Sequence, residues 1–88
     1  MGKKVVLIKM ITAADCDKCR DVYNRIINAA KNTNVLIDIQ SFDFSNPEAV
    51  TLGVEYGLDD IPSFIINGHV FCGVNFSDAA VEQIMRKA

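Results

Sequence analysis

From Lys4 to Ile11 the chain is a nearly continuous run of β-branched and apolar residues, broken after its first residue only by Lys9. Such a run lacks the alternation of a half-wetted strand and predicts a central strand buried on both faces. At 88 residues, half of them apolar, the chain can build one core. It should therefore form one domain over residues 1–88, with no separate substrate or cofactor domain.

After this run, Val22, Tyr23, Ile26, Ile27 and Ala30 recur at three- and four-residue steps, while Asp21, Asn24, Arg25, Asn28 and Lys31 fall between them. The pattern predicts an amphipathic helix with Cys19 on its buried face. Asn32-Thr33-Asn34 ends it, and Val35, Ile37 and Ile39 then alternate with Leu36, Asp38 and Gln40, as in a half-exposed outer strand. The crossover between these two strands is long and helical, which implies a parallel, right-handed unit. Asn46-Pro47-Glu48 supplies a capping amide, a proline for the first turn and an early acid, so a short helix should run from Pro47 to Tyr56 and stop at Gly57. Gly53 weakens it by about 1 kcal/mol relative to alanine. Asn67-Gly68 separates Ser63–Ile66 from His69–Cys72 and is a strong signal for a two-residue hairpin turn. Ser77-Asp78 caps a last helix that turns Ala80, Val81, Ile84 and Met85 inward. The order is βαβ, then α, then ββα.

Nine basic and eleven acidic residues, mixed along the chain, give a formal charge of -2. No basic stripe marks a nucleic-acid or anionic-membrane partner, and no segment nears the roughly 20 apolar residues of a membrane helix. Lys3 and Lys4 imitate the basic start of a leader, but Lys9 interrupts the apolar stretch and no cleavage site follows, so a first strand is favoured. Three cysteines are too few for a secreted disulfide framework and fit a reducing, cytoplasmic compartment.

Cys16-Asp17-Lys18-Cys19 lies between the first strand and the first helix. Residues three apart on a helix have β-carbons about 5–6 Å apart, whereas a disulfide wants about 3.5–4.5 Å, so closure needs an adjusted first turn and the bond should cycle easily. At the helix N-terminus, unpaired N–H groups and the dipole favour an anion, making Cys16 the candidate nucleophile. Cys19, one turn deeper, is the candidate resolving thiol. Lys18 and Arg20 favour the thiolate and Asp15 and Asp17 oppose it, so these neighbours should tune the thiol with a modest net lowering of its pKa.

The segment Tyr56-Gly57-Leu58-Asp59-Asp60-Ile61-Pro62-Ser63-Phe64, followed by Asn67-Gly68 and Gly73, resembles the second half of small thioredoxin- and glutaredoxin-like redox proteins. With Cys16 and Cys19 the resemblance covers nearly the whole chain. It implies a thioredoxin-like α/β fold, a four-stranded mixed sheet flanked by three helices. It also implies a thiol-disulfide oxidoreductase acting on protein disulfides, with a cis bond at Pro62 and a substrate segment received by the backbone of Ile61. No bound cofactor is implied; reducing equivalents would come from glutathione or a thioredoxin reductase, and the protein would work as a monomer. The chain departs from the thioredoxin Trp-Cys-Gly-Pro-Cys pattern and has Met10 about where thioredoxins bury an acid. It also departs from the glutaredoxin Cys-Pro-Tyr-Cys, and Cys72-Gly73 with Ser77-Asp78 only partly matches the glutathione-binding pattern. The other reading is a non-catalytic module of this fold that holds a partner or metal through the CxxC face.

Plainer assignments apply elsewhere. Cys72 is expected as a packed strand residue and His69 as a solvated turn-edge side chain. Cys16, Cys19, His69 and Cys72 have the number and type of zinc ligands, but strand residues three apart point to opposite faces, so His69 and Cys72 should not converge. Phe42, Phe44, Phe64 and Phe71 are assigned to the core for want of a basic groove beside them. Tyr56 either covers the cysteines or packs at a helix end.

Overall fold

A computed structural model describes residues 5–87, and the statements below concern those residues. Lys3 and Lys4 lie outside them. The elements run β1 (Val5–Thr12), α1 (Asp17–Thr33), β2 (Leu36–Asp43), α2 (Pro47–Tyr56), β3 (Ser63–Ile66), β4 (His69–Cys72) and α3 (Asp78–Lys87). They build one four-stranded mixed sheet in the order β2-β1-β3-β4, with β2 parallel to β1, β3 antiparallel to β1, and β4 antiparallel to β3 in the hairpin. This is the α/β arrangement the sequence predicts.

Local chemistry sets the element ends. Asn46 Oδ1 accepts the Glu48 N–H at 2.9 Å and Pro47 opens α2, leaving one fewer helix donor to satisfy. Just before it, the Asp43 carboxylate accepts the hydroxyl and the backbone N–H of Ser45, in that order of effect, which holds its carboxyl below the ordinary carboxylate range. Asn67 and Gly68 both take positive φ, at 49° and 81°, as the tight hairpin turn requires. No helix among the described residues is long and apolar enough to cross a membrane.

The two sheet faces differ in how well they are covered. On one, Val6, Ile8, Met10, Phe64 and Ile66 pack against Cys19, Val22 and Ile26 of α1 and Val81 and Met85 of α3. Here Phe64 stacks on Phe71 at 4.9 Å between ring centres and meets Phe76 edge-on at 5.1 Å. On the other, Ala49 and Leu52 of α2 cover Ile11 and Ile65, with Phe42 and Leu58 at the margin.

Four sequence expectations are corrected. β1 is not buried along both faces: Val5 is 63% exposed and Leu7 46%, because α2 reaches only the Ile11 end. Cys72 is exposed rather than packed: it lies on the edge strand β4 opposite Ser63, on the α2 face of the sheet, and unlike the buried Ser63 it has no strand on its outer side. Phe44 is 54% exposed and does not join the core assigned to it. Tyr23, read as part of the apolar stripe of α1, is likewise 42% exposed at its margin.

Candidate functional site

Cys16 is the N-cap of α1, in extended geometry at φ −105° and ψ 103°, and Cys19 is the third helical residue. The adjustment demanded by the spacing is made at this junction: Cys16 leaves helical geometry, and the two residues form a disulfide with Cα atoms 5.2 Å apart. Cys16 Sγ also accepts the Cys19 N–H at 3.0 Å, the position normally taken by a serine or aspartate oxygen at a helix start. A sulfur held against the first-turn N–H groups is where negative charge is best tolerated. The two sulfurs are not equivalent. Cys19 is buried at 6% exposure among the core side chains, while Cys16 is half-buried at the rim.

Asp15, Asp17 and Lys18 surround the pair as exposed side chains. Asp15 turns the chain into the helix with φ of 53°, and the Asp17 carboxylate lies 3.9 Å from the Arg20 guanidinium. An exposed pair at that distance contributes little to stability.

Ile61-Pro62 is joined by a cis peptide bond. Because Ile11 and Ser63 are antiparallel partners, the loop leaving β1 toward Cys16 and the turn entering β3 through Pro62 emerge at the same end of the sheet. Cys16 and Ile61 both pack on the cluster that contains Cys19. The turn is held from several sides. Asp60 Oδ1 accepts the Ile61 N–H at 2.8 Å, the Ser63 hydroxyl donates to the Asp60 carbonyl, and the Gly73 N–H donates to the Pro62 carbonyl at 2.7 Å.

Gly73 fits this place for two reasons. Its φ is 73°, and a β-carbon there would lie 2.7 Å from Asp60 Oδ2. Gly73→Ala should destabilise the fold by about 1–2 kcal/mol from backbone conformation alone. Urea unfolding of the two proteins measures this, and a loss under a few tenths of a kcal/mol would contradict the left-handed backbone at this position.

Sequence reasoning placed Arg25 on the polar side of α1 and missed its role. Its guanidinium donates to the Val74 carbonyl at 2.8 Å, the Phe76 carbonyl at 2.8 Å and Asp78 Oδ1 at 2.9 Å, and lies 3.8 Å from the centre of the Phe76 ring. Two of the three acceptors are backbone atoms about fifty positions away in the chain, which leave no mark in a sequence.

Other candidates are dispersed. The strand register puts His69 on the face of α1 and α3 and Cys72 on the face of α2. Among the described residues no group of three or more histidine, cysteine or acidic side chains is arranged to hold a metal ion. Tyr56 lines a groove with Leu7, Lys9, Ile65, Asn67 and Gly68, toward the hairpin end of the sheet and away from the cysteines.

No protein-family model and no curated protein sequence matches the chain. Solved structures do. Thioredoxin 1 from the thermophilic eubacterium Thermosipho africanus superposes with a TM-score of 0.59 at 21% identity, covering 92% of this chain and 91% of that one. The reduced thioredoxin pre-protein of Schistosoma mansoni gives 0.59 at 20% identity over 97% of this chain and 80% of its own. Oxidised thioredoxin from Plasmodium falciparum gives 0.57 at 18% identity over 98% and 97%. The chain thus has the thioredoxin fold, with a CxxC pair at the head of its first helix.

Proposed function

We propose that this protein is a dithiol–disulfide oxidoreductase that reduces disulfides in other proteins. The observation that carries the reading is the asymmetry of the Cys16–Cys19 pair: one sulfur at the rim capping a helix, the other buried one turn below. In the reduced protein the Cys16 thiolate attacks one sulfur of the partner's disulfide. A Cys16–partner bond forms, and the partner's other sulfur leaves as a thiolate and takes up a proton. Cys19 then loses its proton and attacks Cys16 Sγ, re-forming the Cys16–Cys19 disulfide and releasing the second partner thiol. Two electrons have passed from the pair to the partner.

The Ile61-Pro62 turn supports this reading by presenting backbone at the end of the sheet where Cys16 lies. Asp15, Asp17 and Lys18 tune the thiolate. Return to the dithiol draws on glutathione or a thioredoxin reductase, no organic cofactor is held, and the protein acts as a cytoplasmic monomer that binds neither nucleic acid nor membrane.

Insulin reduction with dithiothreitol as the electron source tests the proposal. The protein should accelerate precipitation of the insulin B chain, and Cys16→Ser should return the rate to that of dithiothreitol alone. A wild-type rate equal to the uncatalysed control would sink the enzyme reading and leave a binding module, for which stoichiometric zinc would be the supporting measurement.

A further inference from the structure

The connection from β4 to α3, residues 73–77, has no regular secondary structure of its own. It starts against the proposed site, because the Gly73 N–H is bonded to the Pro62 carbonyl and Gly73 lies close beside the Asp60 carboxylate. Val74 and Phe76 then pack on the same core cluster as Cys16 and Ile61. The segment therefore continues the wall begun by Ile61 and Pro62. What fixes its path is a side chain from the helix that carries the cysteines: the Arg25 guanidinium answers the Val74 and Phe76 carbonyls and covers the Phe76 ring. A planar guanidinium with donors in a rigid fork can meet both carbonyls and Asp78 at once, which a lysine ammonium on a flexible stem cannot.

We propose that Arg25 is a positioning residue for partner recognition, setting the Gly73–Ser77 wall at the distance from α1 at which an extended protein segment can lie beside Cys16. This rests on the oxidoreductase reading above. Arg25 does not touch the reacting sulfurs. Its effect falls on substrates large enough to lean on the wall, and a small disulfide that meets only Cys16 is indifferent to it.

The test compares reduced wild-type protein, Arg25→Lys and Asp78→Asn in two reactions, with insulin and with the small aromatic disulfide dithiobis-nitrobenzoate, at a temperature below each variant's unfolding midpoint. Arg25→Lys should lower the insulin rate constant about tenfold relative to the small-disulfide rate constant, within the range that a misplaced positioning group can cost. Asp78→Asn removes the ionic partner but leaves both carbonyl bonds, and should change the ratio by less than about twofold. Equal losses in both reactions for Arg25→Lys, or no loss in either, would overturn the proposal, as would an Asp78→Asn effect as large as that of Arg25→Lys. Wild-type protein that reacts with the small disulfide but not with insulin would overturn the oxidoreductase reading and this inference together. An active wild type with an unchanged ratio in Arg25→Lys would overturn this inference alone.

Discussion

Serine in place of Cys19 is expected to convert turnover into a covalent trap. Cys16 keeps its place at the helix start, since the atom it caps is the backbone N–H of residue 19 and not that side chain. Attack on a partner disulfide therefore proceeds. What is lost is the second thiol, whose Cα sits 5.2 Å from that of Cys16 and whose attack is intramolecular. Well-oriented intramolecular reactions reach effective concentrations of about 10⁵–10⁸ M, far beyond any external thiol, so the Cys16–partner bond should persist in the variant. Incubated with an excess of a disulfide-containing protein and analysed without reductant, Cys19→Ser should run as a one-to-one adduct that dithiothreitol dissolves. Multiple-turnover reduction of insulin should fall nearly to the uncatalysed rate. The exposed Cys72 supplies the control. Adduct that survives in Cys16→Ser/Cys19→Ser and disappears only with Cys72→Ser would move the reactive centre to β4 and overturn the assignment to the CxxC pair.

Why the pair and its setting were legible while other features were not follows from the range of the interactions involved. The helix start at Cys16, the cap at Asn46 and the turn at Asn67-Gly68 are decided within a few residues, and there the sequence reading and the structure agree. The β1 run was legible as a strand but not in its burial. A run that is apolar at nearly every position is equally compatible with two covered faces and with one, and the outcome depends on how far α2 extends over the sheet. That helix buries Ala49 and Leu52 and turns Val50 and Val54 to solvent, leaving Val5, Leu7 and Leu36 uncovered. Cys72 fails for a related reason: cysteine's preference for burial says nothing about whether its strand ends up at the edge. Arg25 was beyond reach altogether, because a basic residue at the margin of an amphipathic helix normally reads as solvated, and its acceptors are carbonyls from the far end of the chain.

Phe64→Ala should have the largest effect on stability of any single truncation near the site. Phe64 has no exposed surface, stands opposite Met10 in the sheet, and is enclosed by Phe71 on one side and Phe76 on another. Truncation removes the transfer free energy of the ring and leaves a cavity whose walls, two further aromatic rings and the strand backbone, cannot easily collapse. Phenylalanine-to-alanine changes in such places cost about 3–5 kcal/mol, a large share of the roughly 5–15 kcal/mol by which domains of this kind are stable. For a domain of this size that corresponds to a fall in Tm of roughly 15–30 °C. Calorimetry or denaturant unfolding measures it, and Phe64→Leu, which keeps much of the volume, should lose distinctly less. A loss below about 1 kcal/mol for Phe64→Ala would mean that the three rings do not pack as described. That would also undercut the platform under Phe76, whose ring lies beneath Arg25, and with it the wall that continues from Pro62. The stability of the core and the shape of the proposed partner groove are thus linked through one aromatic cluster, and the Phe64 variants should show loss of insulin reduction before loss of reaction with a small disulfide.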